Sequence, residues 1–191
     1  MAVIVRDNGK DFERIEPGLH HAVCSHVIDL GLQDTKYGPK HKIAICFELE
    51  EKMQDGRPFM QSKIYGASLN EKANLRHDLE SWRGKKFADA EIGGFDVEVL
   101  VGVNCMLNIV EEVKGDKTYT NISAVIKCPS GTPKITPVGQ PIPEWLRKKA
   151  ETGLKMADEW DTVVPNADEP PPHDDSDFIP PEDNGEDNLP F

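Results

Sequence analysis

The sequence has no run of about 18 apolar residues, which is what a membrane-spanning helix requires, so no such span is expected. It has no Cys-x-x-Cys pair; Cys24, Cys46, Cys105 and Cys128 lie far apart. Zinc sites are usually built on such pairs. No metal is therefore expected, and the cysteines read as reduced thiols buried in the strands of a cytosolic protein. The first residues turn polar at Arg6-Asp7, too soon for a secretory signal. Gly-x-Ser-x-Gly, His-Glu-x-x-His and the phosphate-cradling P-loop are absent, as is the carboxylate cluster of a nuclease or hydrolase. His20, His21 and His26 share one strand, where alternation sends them to different faces. Neither an enzyme nor a cofactor is expected.

Two further scarcities depend on position. Lys and Arg are absent after Lys155, while Met156 to Phe191 hold twelve acids. The chain has 22 Lys+Arg and 34 Asp+Glu, a net charge of −12; removing the twelve leaves 22 acids against 22 bases in residues 1–155. A strongly acidic total argues against a nucleic-acid binder, but here the body is neutral and the excess lies in the tail. Proline is sparse before residue 129, with only Pro17, Pro39 and Pro58, and the other twelve follow. The expected organisation is an N-terminal extension over 1–16, a compact domain over 17–131 and a linker with a short helix over 132–157. An acidic, proline-rich tail over 158–191 is too polar to bury a core and is expected to be disordered.

Within the domain the apolar pattern has mostly period two, which predicts strands. Leu19 to Leu32, Lys42 to Glu50 and Phe59 to Tyr65 form the first three, the last two joined by a hairpin turn at Gln54-Asp55-Gly56-Arg57. Ser68 and Glu71 have the spacing of a capping box. The helix it opens carries Leu75, Leu79 and Trp82 on one face and stops at Gly84. A short helical turn is expected around Phe95 to Leu100. Val103 to Val113 and Lys117 to Lys127 complete a β-β-β-α-β-β order. That is the element order of the OB-fold, a five-stranded, partly open barrel with one helix between strands three and four. The expected class is mainly β.

The strand faces carry the functional signal. In strand three, Phe59, Gln61, Lys63 and Tyr65 are expected outward, and Met60, Ser62 and Ile64 on the opposite face. In strand five, Lys117, Tyr119, Asn121 and Ser123 are expected outward, and Thr120, Ile122, Ala124 and Ile126 inward. Rings that stack on unpaired bases, mixed with cations that follow phosphates, suit single-stranded nucleic acid. Lys36, Tyr37, Lys40, His41 and Lys42 cluster around the first hairpin, and Arg83, Lys85 and Lys86 follow the helix. The candidate stacking residues are Tyr37, Phe59, Tyr65 and Tyr119. The candidate phosphate contacts are Lys36, Lys40, Lys42, Lys63 and Lys117.

The chain ends Glu186-Asp187-Asn188-Leu189-Pro190-Phe191. Acids before a terminal Pro-Phe resemble the C-terminal tip of bacterial single-stranded DNA-binding proteins, which docks on replication and repair partners. Leu30-Gly31-Leu32-Gln33-Asp34-Thr35-Lys36, Ser68-Leu69-Asn70-Glu71-Lys72 and Ser81-Trp82-Arg83-Gly84-Lys85 resemble phage-encoded members of that class. The resemblance spans about 17–131 and the last six residues; Asn188 and Leu189 depart from the usual Asp and Ile. It implies a protein of the bacterial host cytoplasm that coats single-stranded DNA in replication, recombination and repair. It also implies partner docking through Asp187, Leu189, Pro190 and Phe191. Chemistry gives the same expectation for the tip, since a terminal phenylalanine and a free carboxylate suit an apolar pocket rimmed by basic side chains. The alternative is a replisome adaptor whose barrel binds protein. The segment from Pro141 to Lys149, with Trp145, could pack on the barrel, contact DNA or join two copies into a homo-oligomer; the sequence leaves these open.

Overall fold

The computed structural model describes residues 13–115 and 117–163, the side chains of 117 and 156–163 excepted. The chain runs β1 (Gly18–Thr35), β2 (Gly38–Lys52), β3 (Pro58–Gly66), α1 (Asn74–Arg83), α2 (Asp89–Ile92), a 3₁₀ turn (Val97–Leu100), β4 (Asn104–Lys114), β5 (Lys117–Ile126) and α3 (Glu144–Val163). All neighbouring strands pair antiparallel in one sheet of order β3-β2-β1-β4-β5. No backbone ladder joins β3 to β5, so the sheet is not closed as a full barrel would be. The two edges meet instead through side chains: the Gln61 amide donates to Thr120 Oγ1 (3.2 Å), and Lys63 Nζ to the Ser123 carbonyl (3.3 Å). No helix among the described residues is long and apolar enough to cross a membrane.

Alternation along β1 and β2 gives each face its own partner. Ala22, Cys24, Val27, Ile43, Ile45 and Phe47 line the main core, closed by Leu75, Leu79 and Trp82 of α1. The expected apolar helix face is the buried one. Its expected start is not observed: α1 begins at Asn74 behind an Ala73 cap that offers no side-chain bond. Ser68 Oγ instead accepts from the Asn70 N–H and Asn70 Oδ1 from the Lys72 N–H, each two residues on (both 3.1 Å). Such local turns compete with a helical first turn. Gly84 terminates the helix with φ 69°, its N–H bonded to the Glu80 carbonyl, as a left-handed glycine commonly does.

The second face of β1 and β2 carries Leu30, Ala44 and Cys46, which pack on Leu146 of α3. Two glycines allow this. The ladder between β1 and β2 shifts register between Asp29 and Leu32, where Gly31 turns left-handed at φ 61°. The Gly31 N–H donates to Asp29 Oδ1 (2.8 Å), and His41 Nε2 lies 2.6 Å from the same oxygen. Partial burial pushes the Asp29 carboxyl up, but these two contacts outweigh it and hold the group below its ordinary value. Against this bulge lies Gly153 of α3, where an added Cβ would overlap the Leu30 carbonyl and the Gln33 side chain. Gln33 Nε2 donates to the carbonyls of Leu30 (2.6 Å) and Lys149 (3.0 Å), tying strand to helix.

Between β5 and α3 the chain runs without regular structure, held to the sheet by polar side chains. Buried Glu48 accepts from the N–H groups of Val138 (2.5 Å) and Gln140 (2.9 Å). Asn104 accepts from the Ile135 N–H and donates to its carbonyl (both 2.8 Å), imitating a strand pair. Buried polar groups left without partners are costly, so Glu48 and Asn104 fix the path that leads into α3.

Gly153→Ala is expected to lower the unfolding free energy by roughly 1–3 kcal/mol, the usual cost of forcing a methyl group into a packed contact. The loss should appear even though alanine is the better helix former by ~1 kcal/mol. Denaturant unfolding followed by circular dichroism measures it; an unchanged or higher midpoint would mean that α3 does not rest on the Gly31 bulge.

Candidate nucleic-acid interface

The β1–β2 ladder continues to Thr35 opposite Gly38, so the turn is only Lys36-Tyr37. Thr35 Oγ1 donates to the Gly38 carbonyl (2.7 Å) and accepts from the Tyr37 N–H (3.2 Å). Gly38 sits at φ 101°, a left-handed value that an L side chain resists. This tight tip holds the Tyr37 ring 51% exposed. Lys36 Nζ lies 4.6 Å and Lys40 Nζ 5.7 Å from its centroid. Cations this close to a ring are attracted to its π face, and the three side chains form one cationic–aromatic cluster. Lys42, half-buried, stands further along β2 opposite Gly66.

Strand β3 presents its faces the other way round from expectation. Tyr65 is buried among the main core residues and Phe59 packs partly against them. The Tyr65 hydroxyl donates to Asp78 Oδ2 (2.7 Å), and Lys63 Nζ reaches the same oxygen at 2.7 Å. Burial first, then the Asp78 charge, pushes the Tyr65 hydroxyl well above its ordinary value. Phe59, Lys63 and Tyr65 therefore build the junction of β3, α1 and β5 and do not join Tyr37 at the surface. The decisive partner, Asp78, lies on α1 between Leu75 and Leu79. An acid beside the apolar stripe of that helix was the available signal for a buried cation and hydroxyl.

Strand β5 follows expectation only up to a bulge. The register with β4 shifts so that Asn108 faces Ala124 and Ile109 faces Ile122, leaving Ser123 as the extra residue. Before it, Ile122 is buried and Tyr119 is 46% exposed; beyond it Val125 is buried and Ile126 is turned outward. A bulge reverses the facing of every residue that follows. Tyr119 stands opposite Glu112, which also accepts from Asn121 Nδ2 (2.7 Å). Lys117 pairs with Lys114 at the start of β5; its side chain lies outside the described residues. So do the tip residues Asp187, Leu189, Pro190 and Phe191.

Other basic and titratable residues divide into exposed and engaged. Lys85 and Lys86 are exposed after α1. Arg83 is engaged: Nη2 bonds Glu91 Oε1 (2.6 Å), and the guanidinium covers the Phe87 ring at 4.5 Å. His21 lies 3.0 Å from Glu50 and 3.1 Å from Asn104, a structural placement. It helps to line a shallow cleft of about 440 Å³ with Trp82, Asn104, Lys127, Pro129 and Lys134. Cys24, Cys46 and Cys105 are free and buried. Burial pushes the Cys24 thiol up to about 12, reinforced by Cys46, and the Cys46 thiol up to about 11; such thiols are poor nucleophiles. Among the described residues, no group of three or more His, Cys, Asp or Glu is placed to hold a metal ion.

The sequence alone does not decide what Trp145 contacts. At the start of α3 it is exposed, and the neighbouring Leu146 is the residue that packs on the sheet. Tyr37, Tyr119 and Trp145 are the exposed aromatic side chains among the described residues.

No model of a known protein family matches the chain, and no curated protein matches it.

The Tyr65 hydroxyl is held protonated above its ordinary value of 10.0, so the stability linked to it is complete below that pH and is lost as pH rises past it. Tyr65→Phe is therefore expected to flatten the fall in unfolding midpoint above pH about 10. Denaturation curves of both proteins across that range check this; equal slopes would contradict the burial and bonding assigned to Tyr65.

Proposed function

We propose that this chain is a non-enzymatic protein that binds single-stranded DNA on an OB-fold scaffold. The order β3-β2-β1-β4-β5, with α1 between β3 and β4, supports that scaffold, as does the meeting of the β3 and β5 edges through Gln61 and Lys63. In such folds the first hairpin loop and the loop between strands four and five flank the ligand groove. The observation that carries the reading is the exposed Tyr37 ring with Lys36 and Lys40 beside it. A ring in that setting stacks on an unpaired base of any identity, while the ammonium groups follow the phosphates. Lys42 extends the cationic track along β2, and Tyr119 and Lys117 supply the second loop. Phe59, Lys63 and Tyr65 serve the fold beneath it.

In this reading the protein coats and protects single strands in replication, recombination and repair. The acidic tail with its Leu189-Pro190-Phe191 tip recruits partner proteins. The nine acids that follow Val163 also act as a tethered competitor for the cationic surface, through a local concentration set by the linker.

Tyr37→Ala is expected to weaken binding to an oligo-dT by about 5- to 150-fold, the range that corresponds to ~1–3 kcal/mol per stacked base. Lys36→Gln with Lys40→Gln should reduce the slope of log K against log salt by up to about 1.4, at ~0.7 per phosphate contact. Deleting residues 165–191 should tighten binding, most at low salt where screening is least. Fluorescence anisotropy at several salt concentrations measures all three. Undiminished affinity in Tyr37→Ala would remove the hairpin from the interface, and no binding by the truncated chain at low salt would favour the protein-binding adaptor.

A further inference from the structure

Helix α3 occupies the face of β1 and β2 that an open sheet would otherwise offer to a strand of nucleic acid: Leu146 fills it beside Leu30, Ala44 and Cys46. Any ligand on this side of the molecule meets the outer surface of α3. That surface carries Trp145 at 53% exposure. Residues 144–155, the first three turns of α3, supply Arg147, Lys148, Lys149 and Lys155 against Glu144 and Glu151, whereas the remainder of the helix adds Asp158, Glu159 and Asp161 and no base. Glu144 Oε1 engages Lys148 Nζ at 2.7 Å, and Lys149 lies one helical turn from Trp145, on its side of the helix.

The position of this surface relative to the first hairpin is fixed by a hydrogen bond and a close backbone approach. The Lys149 carbonyl accepts from Gln33 Nε2 at 3.0 Å. Gln33 stands directly opposite Lys40 in the β1–β2 ladder, and Lys40 Nζ lies 5.7 Å from the Tyr37 ring. The path from Trp145 to Tyr37 is thus one helical turn, one hydrogen bond, one strand-to-strand step and one cation–ring contact. The Gly153–Gly31 approach prevents α3 from sliding along that path.

We infer that Trp145 is a base-stacking residue, and that the outer face of the first turns of α3 continues the hairpin cluster into one binding surface for single-stranded DNA. The inference rests on the proposed function and extends it. A solvent-exposed indole gains nothing for the fold from its exposure. With Lys148 and Lys149 one turn further along the helix, it has the composition of a stacking platform followed by phosphate contacts. Its neighbours are net basic, so a polyanion is favoured over an apolar protein surface, which would leave those charges unpaired on burial.

The test compares full-length wild type, Trp145→Ala, Trp145→Phe and Tyr37→Ala for oligo-dT affinity, with thermal unfolding and sedimentation velocity run on each. The expected result is a loss of about 5- to 150-fold in affinity for Trp145→Ala, most of it recovered by Trp145→Phe. Unfolding temperature and sedimentation coefficient should not change. If Tyr37→Ala weakens binding and Trp145→Ala does not, the role of α3 is overturned and the proposed function stands. If wild type binds no oligo-dT at any salt, the proposed function itself fails. A change in sedimentation coefficient in Trp145→Ala would assign the indole to contact between copies of this chain and overturn the inference.

Discussion

The left-handed backbone at Gly31 is the constraint from which the arrangement of the molecule follows. It shifts the β1–β2 register, is held by the Asp29 carboxylate, and leaves a backbone surface with no side chain in the way. Only another residue without a Cβ can approach it as closely as Gly153 does. That approach seats α3 on the sheet, buries Leu146 and turns Trp145 outward. A single permissive residue thus couples the long first hairpin to a helix far away in sequence, and places the ring at the hairpin tip and the indole on the helix in fixed relation.

Polar groups position the rest. Glu48 and Asn104 hold the segment that leads into α3 by receiving its N–H groups, and Asp78 collects both the Lys63 ammonium and the Tyr65 hydroxyl. Each is a satisfied polar site at a place where apolar packing alone would not define one register. Internal acids also divide the basic side chains into those they hold, Lys63 by Asp78 and Arg83 by Glu91, and those at the surface, such as Lys85 and Lys86. Only a cation that can reach solvent can follow a phosphate backbone.

The succession of strands along the chain and the clustering at the first hairpin were legible because both are local. Period-two alternation marks strands, and Lys36, Tyr37 and Lys40 adjoin in the chain. What was not legible depends on contacts distant in sequence. Alternation divides β3 into two faces without saying which is inward, and Asp78 decides that. One extra residue at Ser123 reverses the facing of Ile126. Ser68 has the spacing of a cap but spends its oxygen on Asn70. The pairing of Gly31 with Gly153, and with it the choice between Trp145 and Leu146 as the packed residue, cannot be seen until the two segments meet.

The most direct measurement is equilibrium binding of wild-type protein to matched single- and double-stranded oligonucleotides across a salt series. The account predicts preference for the single strand and an affinity that falls steeply with salt, the signature of stacking combined with phosphate contacts. Equal affinity for both forms, or none at low salt, would contradict it.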